Sequence, residues 1–131
     1  IDIERMKLAA KYLIGKHDFS SFRASSCQSK SPIREMQSID FINEDNNCLR
    51  ISFIGNAFLH HMIRNIMGTL IDVGIGRLEP DQMKEILESK DRQKASKTVS
   101  PEGLYLIGIR YPEKYKLPTK DIEIRLSNLD L

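Results

Sequence analysis

Cysteine is scarce. Cys27 and Cys48 are the two present in 131 residues, and no CxxC motif or dense spacing relates them. That rules against a disulfide-stapled secreted scaffold, and a reduced, cytoplasmic setting is expected. An excess of charge of one sign is also missing: 20 Lys and Arg face 18 Asp and Glu, a formal net charge of +2. So mild a balance does not announce nucleic-acid binding through the global field. No apolar run approaches the roughly 20 residues of a membrane span, so no membrane partner is expected. GxxxxGK[ST] and GxGxxG are both absent, which excludes the common nucleotide loops. No Ser or Cys has a recognisable nucleophile setting: the run "SSCQS" resembles no nucleophile elbow, and His17 and Asp18 stand side by side without one. Glu44 and Asp45 fall in an expected hairpin turn and read as solvated.

What is present is an ordinary globular composition, 40% hydrophobic and 29% charged, in a length that suits one compact domain. Asp2 reads as the N-cap of a helix over residues 3–14, with Ile3, Met6, Ala10, Leu13 and Ile14 at helical spacing and Gly15 at its end. Residues 16–32 read as a long Ser-rich, basic loop. A strand over 33–43, the turn "EDNN" and the alternation Leu49, Ile51, Phe53 predict a hairpin. A helix over 58–73 follows, then a short helix opened by Pro80, a basic loop over 90–101 and a strand over 104–111. Residues 1–112 are the expected core and 113–131 a C-terminal tail packed outside it. The order α-β-β-α-(α)-β is a ferredoxin-like, split βαβ order without its first strand. With Ile1 rather than Met at the start, this predicts the C-terminal domain of a longer α+β protein, an antiparallel sheet packed against helices.

The stretch "FLHHMIRNIMG", Phe58 to Gly68, interrupts an apolar run with polar groups. At 100° per residue, Leu59, Met62, Ile63, Ile66, Met67, Leu70 and Val73 share an arc about 140° wide, the expected core face. His60, His61, Arg64, Asn65, Gly68, Thr69 and Asp72 share the other face. A solvated face here would carry Lys and Glu, as Lys84, Glu85 and Glu88 do; this one carries neither. Gly68 costs about 1 kcal/mol inside a helix and permits close approach by something else.

Three uses compete for that face: plain solvation, a metal site, or an anionic partner. His60 and His61 diverge by 100° as neighbours and make poor co-ligands, so no metal is expected. Arg64 could hold a carboxylate or phosphate in a planar fork, and the histidines and Asn65 could donate to RNA. Two loops add local positive charge: Lys16, Arg23, Lys30 and Arg34 against Asp18, and Lys90, Arg92, Lys94 and Lys97 against Asp91. Phe19 and Phe22 between them read as core plugs before base-stacking platforms. The expected RNA contacts are Arg23, Gln28, Lys30, Arg34, His60, His61, Asn65, Lys90, Arg92, Lys94 and Lys97.

The blocks "DFSSFRASSCQSKSPIREM", "NAFLHHMIRNIMGTLIDVG" and "SPEGLYLIGIRYP", in this order, resemble the C-terminal half of the tRNA pseudouridine synthase A family. The resemblance runs from about Ile3 to Pro118. It implies an enzyme that isomerises uridines 38 to 40 of the tRNA anticodon arm to pseudouridine, acts as a homodimer, and needs no cofactor or metal. It implies two pseudo-symmetric α+β halves around a cleft, with a catalytic aspartate in a Gly-Arg-Thr-Asp block and a base-stacking tyrosine in the other half. None of Asp2, Asp18, Asp40, Asp45, Asp72, Asp81, Asp91, Asp121 and Asp130 follows Gly-Arg-Thr. The resemblance thus implies a non-catalytic wall of the cleft that partners an N-terminal half of the same polypeptide. Arg64 would pair with the catalytic aspartate, and Leu104, in "GLYL", would pack by the target uracil. The competing expectation is a stand-alone, non-catalytic RNA-binding module.

Overall fold

A computed structural model describes residues 1–25, 30–44, 48–99, 104–110 and 119–127. Asp2 does cap the first helix, α1 (Ile3–Lys11): its carboxylate accepts from the Arg5 amide at 3.2 Å. The chain then forms a short strand, β1 (Gly15–Asp18), and a 3-10 turn over Ser20–Phe22. These occupy a stretch that sequence alone reads as loop. Asp18 organises the turn by accepting from the Ser20 amide at 2.9 Å and hydroxyl at 2.6 Å. Phe19 and Phe22 are fully buried on either side of it, so they are core plugs.

The hairpin is β2 (Ile33–Glu44) and β3 (Cys48–Gly55), with Ile39 opposite Phe53 and Phe41 opposite Ile51. Burial alternates along β3, with Leu49, Ile51 and Phe53 inward. The second helix, α2 (Met62–Gly74), begins four residues later than its apolar periodicity suggests. The cause is His61, whose φ of 60° is left-handed and cannot continue a helix. The Asn65 amide bonds the His61 carbonyl at 2.9 Å, which closes the first turn. At the other end Arg5 reaches across from α1. Its Nε donates to the Val73 carbonyl at 3.0 Å and its Nη2 to the Leu78 carbonyl at 2.8 Å, tying α1 to the end of α2 and to the segment after it. The third helix is α3 (Gln82–Ser89). α1 ends at Lys11, three residues short of the expected boundary, and Leu13 lies in the turn after it. Met6 and Ala9 of α1, Leu13, the inward residues of β3, and Ile66, Leu70 and Val73 of α2 form one apolar cluster, closed by Met83 and Leu87 of α3.

Two further strands, β4 (Leu104–Arg110) and β5 (Thr119–Ser127), complete an antiparallel sheet of order β1-β2-β3-β5-β4. The architecture is therefore α+β, an antiparallel sheet with helices packed on it. One expectation needs correction: residues 119–127 do not pack outside the core as a tail but form β5 inside the sheet. Their alternation of Ile122, Ile124 and Leu126 with charged residues is a strand period that a search for a tail overlooks. Among the described residues, no helix is long and apolar enough to cross a membrane.

Because Phe22 is a core residue, Phe22→Ala should destabilise the chain by about 3–5 kcal/mol. Urea unfolding should show this as a lower midpoint at unchanged m-value; a midpoint within error of the parent would mean the ring is not part of the core.

Candidate functional site

Much of the polar face of α2, from Asn65 to Asp72, is covered. The chain's own segment 91–99 lies along it. Asp91 caps a 3-10 turn over Arg92–Lys94, accepting from the Gln93 amide at 2.9 Å. Arg92 then points back: Nη2 donates to Asn65 Oδ1 at 3.0 Å and Thr98 Oγ1 at 3.1 Å, and Nη1 to the Ser96 carbonyl at 3.0 Å. Thr98 also donates to Asn65 Oδ1. The Ser96 amide bonds Thr69 Oγ1 at 3.1 Å, and its hydroxyl donates to Asp72 Oδ2 at 2.6 Å. Between these, the Lys97 carbonyl sits where a Cβ on Gly68 would be, which is why the helix carries a glycine there.

Asn65 is the meeting point. It is 1% exposed, and its Nδ2 donates to the Phe22 carbonyl at 2.8 Å. Among the described residues its side-chain bonds are all internal, and at 1% exposure the amide presents no open face for the RNA contact expected of it. Arg92, half-buried, turns its terminal nitrogens to Asn65, Thr98 and main-chain carbonyls of the same segment. Sequence alone does not single out Ser96, Thr98 and Val99. The small hydroxyls following Asp91 are a faint signal that the loop has polar partners to satisfy.

Arg64 is set differently. Its Nε donates to the Val99 carbonyl at 2.9 Å, and its own carbonyl accepts from the Val99 amide at 3.3 Å. The guanidinium is thus held by one edge. Its two terminal nitrogens have no partner among the described residues. Before it in sequence, His60 and His61 are exposed and stack with ring centroids 4.0 Å apart, a parallel pair rather than a converging one. The Ala24 amide bonds the His60 carbonyl at 3.1 Å, which brings the segment after Phe22 to the same corner. Partial desolvation, then the neighbouring His60 and Arg64, lower the His61 pKa below the usual histidine range.

Arg23, half-buried, precedes Ala24, whose amide meets His60, while the backbone of Lys97, an exposed residue, lies against Gly68, one turn along α2 from Arg64. Lys94 and Lys90 are exposed further along the same loop, Lys90 in a left-handed C-cap at φ 54°. Lys30 is exposed, while Arg34 is half-buried, with Nη1 donating to the Ser31 and Ile33 carbonyls. Leu104 opens β4, five residues after Val99. Gln28 lies outside the described residues. What the corner offers chemically is a forked cation braced on a backbone carbonyl, two stacked imidazoles, and lysines on the flank. That set suits an anion held close and a polyanion held loosely.

Residues 9–112 match the family model described as tRNA pseudouridine synthase. The chain is 48% identical over 121 residues to tRNA pseudouridine synthase A of Cupriavidus taiwanensis, covering 92% of this chain and 44% of that protein. It is 48% identical over 126 residues to tRNA pseudouridine synthase A of Chromobacterium violaceum, covering 96% of this chain and 48% of that protein. The chain therefore spans about half the length of these curated relatives.

Two outcomes test this geometry. Gly68→Ala should destabilise the chain, because the about 1–3 kcal/mol of overpacking against the Lys97 carbonyl exceeds the about 1 kcal/mol gained in helix propensity. An unchanged urea midpoint would place the 91–99 segment off the helix. In the second, the His61 ring protons should titrate in NMR at a lower pH than those of a histidine in an unfolded peptide. The sign follows: the unfolded chain takes up this proton first, so the stability contribution is whole above the ordinary histidine range. It declines as pH falls through that range, and exposure keeps it small. A His61 titration at or above the peptide value would contradict the structure.

Proposed function

The chain belongs to the tRNA pseudouridine synthase family, and from that premise we propose that it is the C-terminal part of an enzyme that isomerises uridines 38 to 40 in the tRNA anticodon arm to pseudouridine. It supplies one wall of the active-site cleft and part of the RNA-binding surface. The nucleophilic aspartate comes from an N-terminal half of the same polypeptide, and this part by itself performs no isomerisation. The proposal extends to a pseudouridine synthase fold whose sheet is of the ferredoxin-like type, and to a cytoplasmic homodimer. The quoted sequence blocks support those finer points.

The observation that carries the reading is Arg64. A guanidinium braced through Nε on the Val99 carbonyl leaves its two terminal nitrogens in a fixed plane. A carboxylate arriving there is met by two parallel donors, a bidentate fit that sets its rotamer. The same charge lowers the carboxylate pKa by about 1–3 units, so that it stays ionised away from water. The target base must first leave its stack, at a cost of a few kcal/mol. Leu104, at the start of β4, is proposed to pack beside that base. Lys90, Lys94, Lys97, Lys30 and the two histidines serve the phosphates, together with Arg23, Arg34 and Gln28.

Comparing two variants in a longer enzyme that joins this chain to its N-terminal half tests the assignment. Arg64→Lys keeps the charge and loses the fork. It should lower the single-turnover rate by about tenfold or more, with the tRNA dissociation constant nearly unchanged. Neutralising Lys90, Lys94 and Lys97 together should do the reverse. It should weaken tRNA binding and flatten its salt dependence by about 0.7–0.9 in logarithmic slope for each phosphate no longer neutralised. A normal rate in Arg64→Lys would remove Arg64 from the active site, and equal reductions of rate and affinity would make it an RNA-binding residue.

A further inference from the structure

β3 has two edges. β2 pairs with one, and β5 pairs with the other from Cys48↔Ser127 to Gly55↔Lys120. β4 reaches the sheet only through β5. The position between β3 and β4 is thus held by the last of the described strands, and the direction of that strand is informative. β2 and β5 are each antiparallel to β3, so they run parallel to one another. Chain order alone does not give the direction of a strand that feeds α1, because α1 is followed first by β1, which is antiparallel to β2. Position gives it: α1 starts beside Asn43, near the end of β2, and is followed by Gly15 opposite Met36, so it runs back along β2, and a strand that turns into its N-cap from the sheet runs parallel to β2.

The location agrees with the direction. The Asp2 amide bonds the Gly74 carbonyl at 2.8 Å, and Ile1, Asp2 and Asn43 line one groove. Asn43 pairs with Leu49, which pairs with Leu126. The start of α1 therefore lies at the end of the sheet where β5 finishes. A strand rising through the β5 position would arrive beside the N-cap of α1. The β-α-β-β-α-β order of a split βαβ fold puts its first strand in the same place, between the third and fourth strands. β5 also has a sequence suited to a substitute. Ile122, Ile124 and Leu126 stand in register with Phe53, Ile51 and Leu49, the inward residues of β3.

We infer that the position between β3 and β4 is a strand-exchange site. β5 occupies it when the 131-residue chain is alone, and the strand leading into α1 displaces β5 when the N-terminal half is joined. This rests on the functional reading above for the existence of that half. The two strands cannot share the position, since β3 has one edge to give. The incoming strand needs alternating apolar residues and no proline within the ladder, because it must bond on both sides.

Disulfide trapping tests the exchange. Ser52→Cys and Glu123→Cys stand opposite one another in the β3–β5 register, in a background of Cys27→Ser and Cys48→Ser. Under mild oxidation the 131-residue chain should form the bond readily, read on a non-reducing gel. With the N-terminal half of the Chromobacterium violaceum relative fused ahead of Ile1, the bond should form about tenfold more slowly. A synthetic peptide copying the strand before the equivalent of α1 in that relative, added in excess to the 131-residue chain, should slow it likewise, and this arm does not depend on how the fusion folds. Equal rates with and without the added strand, in fusion and peptide alike, would overturn the exchange. So would failure of the 131-residue chain to form the bond. Tritium release from labelled tRNA separates the two proposals. A fusion that frees β5 but modifies no tRNA defeats the functional reading alone, and an active fusion with β5 still disulfide-bonded defeats the exchange alone.

Discussion

One buried amide holds the functional corner together. Asn65 donates to the Phe22 carbonyl and accepts from Arg92 and Thr98, so a single side chain joins the 3-10 turn, α2 and the segment 91–99. The 3-10 turn and α2 also meet in the apolar core, whereas the segment 91–99 is held to them mainly through polar contacts. An amide at this depth left without partners would cost about 1–3 kcal/mol, and the three segments meet so that it is not. The bracing of Arg64 follows from this. Val99 reaches the Arg64 side chain and carbonyl only because Thr98 and Ser96, on the residues just before it, are fixed to α2.

The division of labour between cations is a second consequence. Arg92 and Arg64 differ by where their forks point. Arg92 is turned inward and closes a network; Arg64 is held through Nε, and its terminal nitrogens have no partner among the described residues. Exposed lysines along the same segment hold no geometry, which suits them to a diffuse field rather than to a fixed contact. A guanidinium used for structure and another used for recognition thus sit 28 residues apart in sequence on two sides of one loop.

Much of the fold is legible in the sequence, because it rests on local period. The spacing of Ile3, Met6 and Ala10 gives α1, although Leu13 and Ile14, at the same spacing, fall beyond its end at Lys11, and the alternation of Leu49, Ile51 and Phe53 gives β3. The N-cap at Asp2 reads directly. The start of α2 does not, since nothing in "FLHH" announces that His61 takes a left-handed backbone. The polar face of α2 is legible as unusual but not in its use. Gly68, Asn65 and Thr69 signal a close, hydrogen-bonded neighbour, and period alone cannot say whether that neighbour is a ligand or a segment about 30 residues downstream. β5 is hidden for a related reason: its partner β3 lies about 70 residues earlier, and strand pairing at that range leaves no local mark.

That separation has a consequence in time. During synthesis α1, the hairpin and α2 are complete well before Thr119 is made, so the inner edge of β3 is laid down long before β5 exists to cover it. Local elements form in microseconds, whereas chain elongation at about 5–20 residues per second needs seconds to reach β5. Whatever strand is already at hand when β3 emerges meets an open edge with no competitor. The order in which the ribosome delivers the strands, as much as their relative affinity, thus decides which of them the sheet is built around.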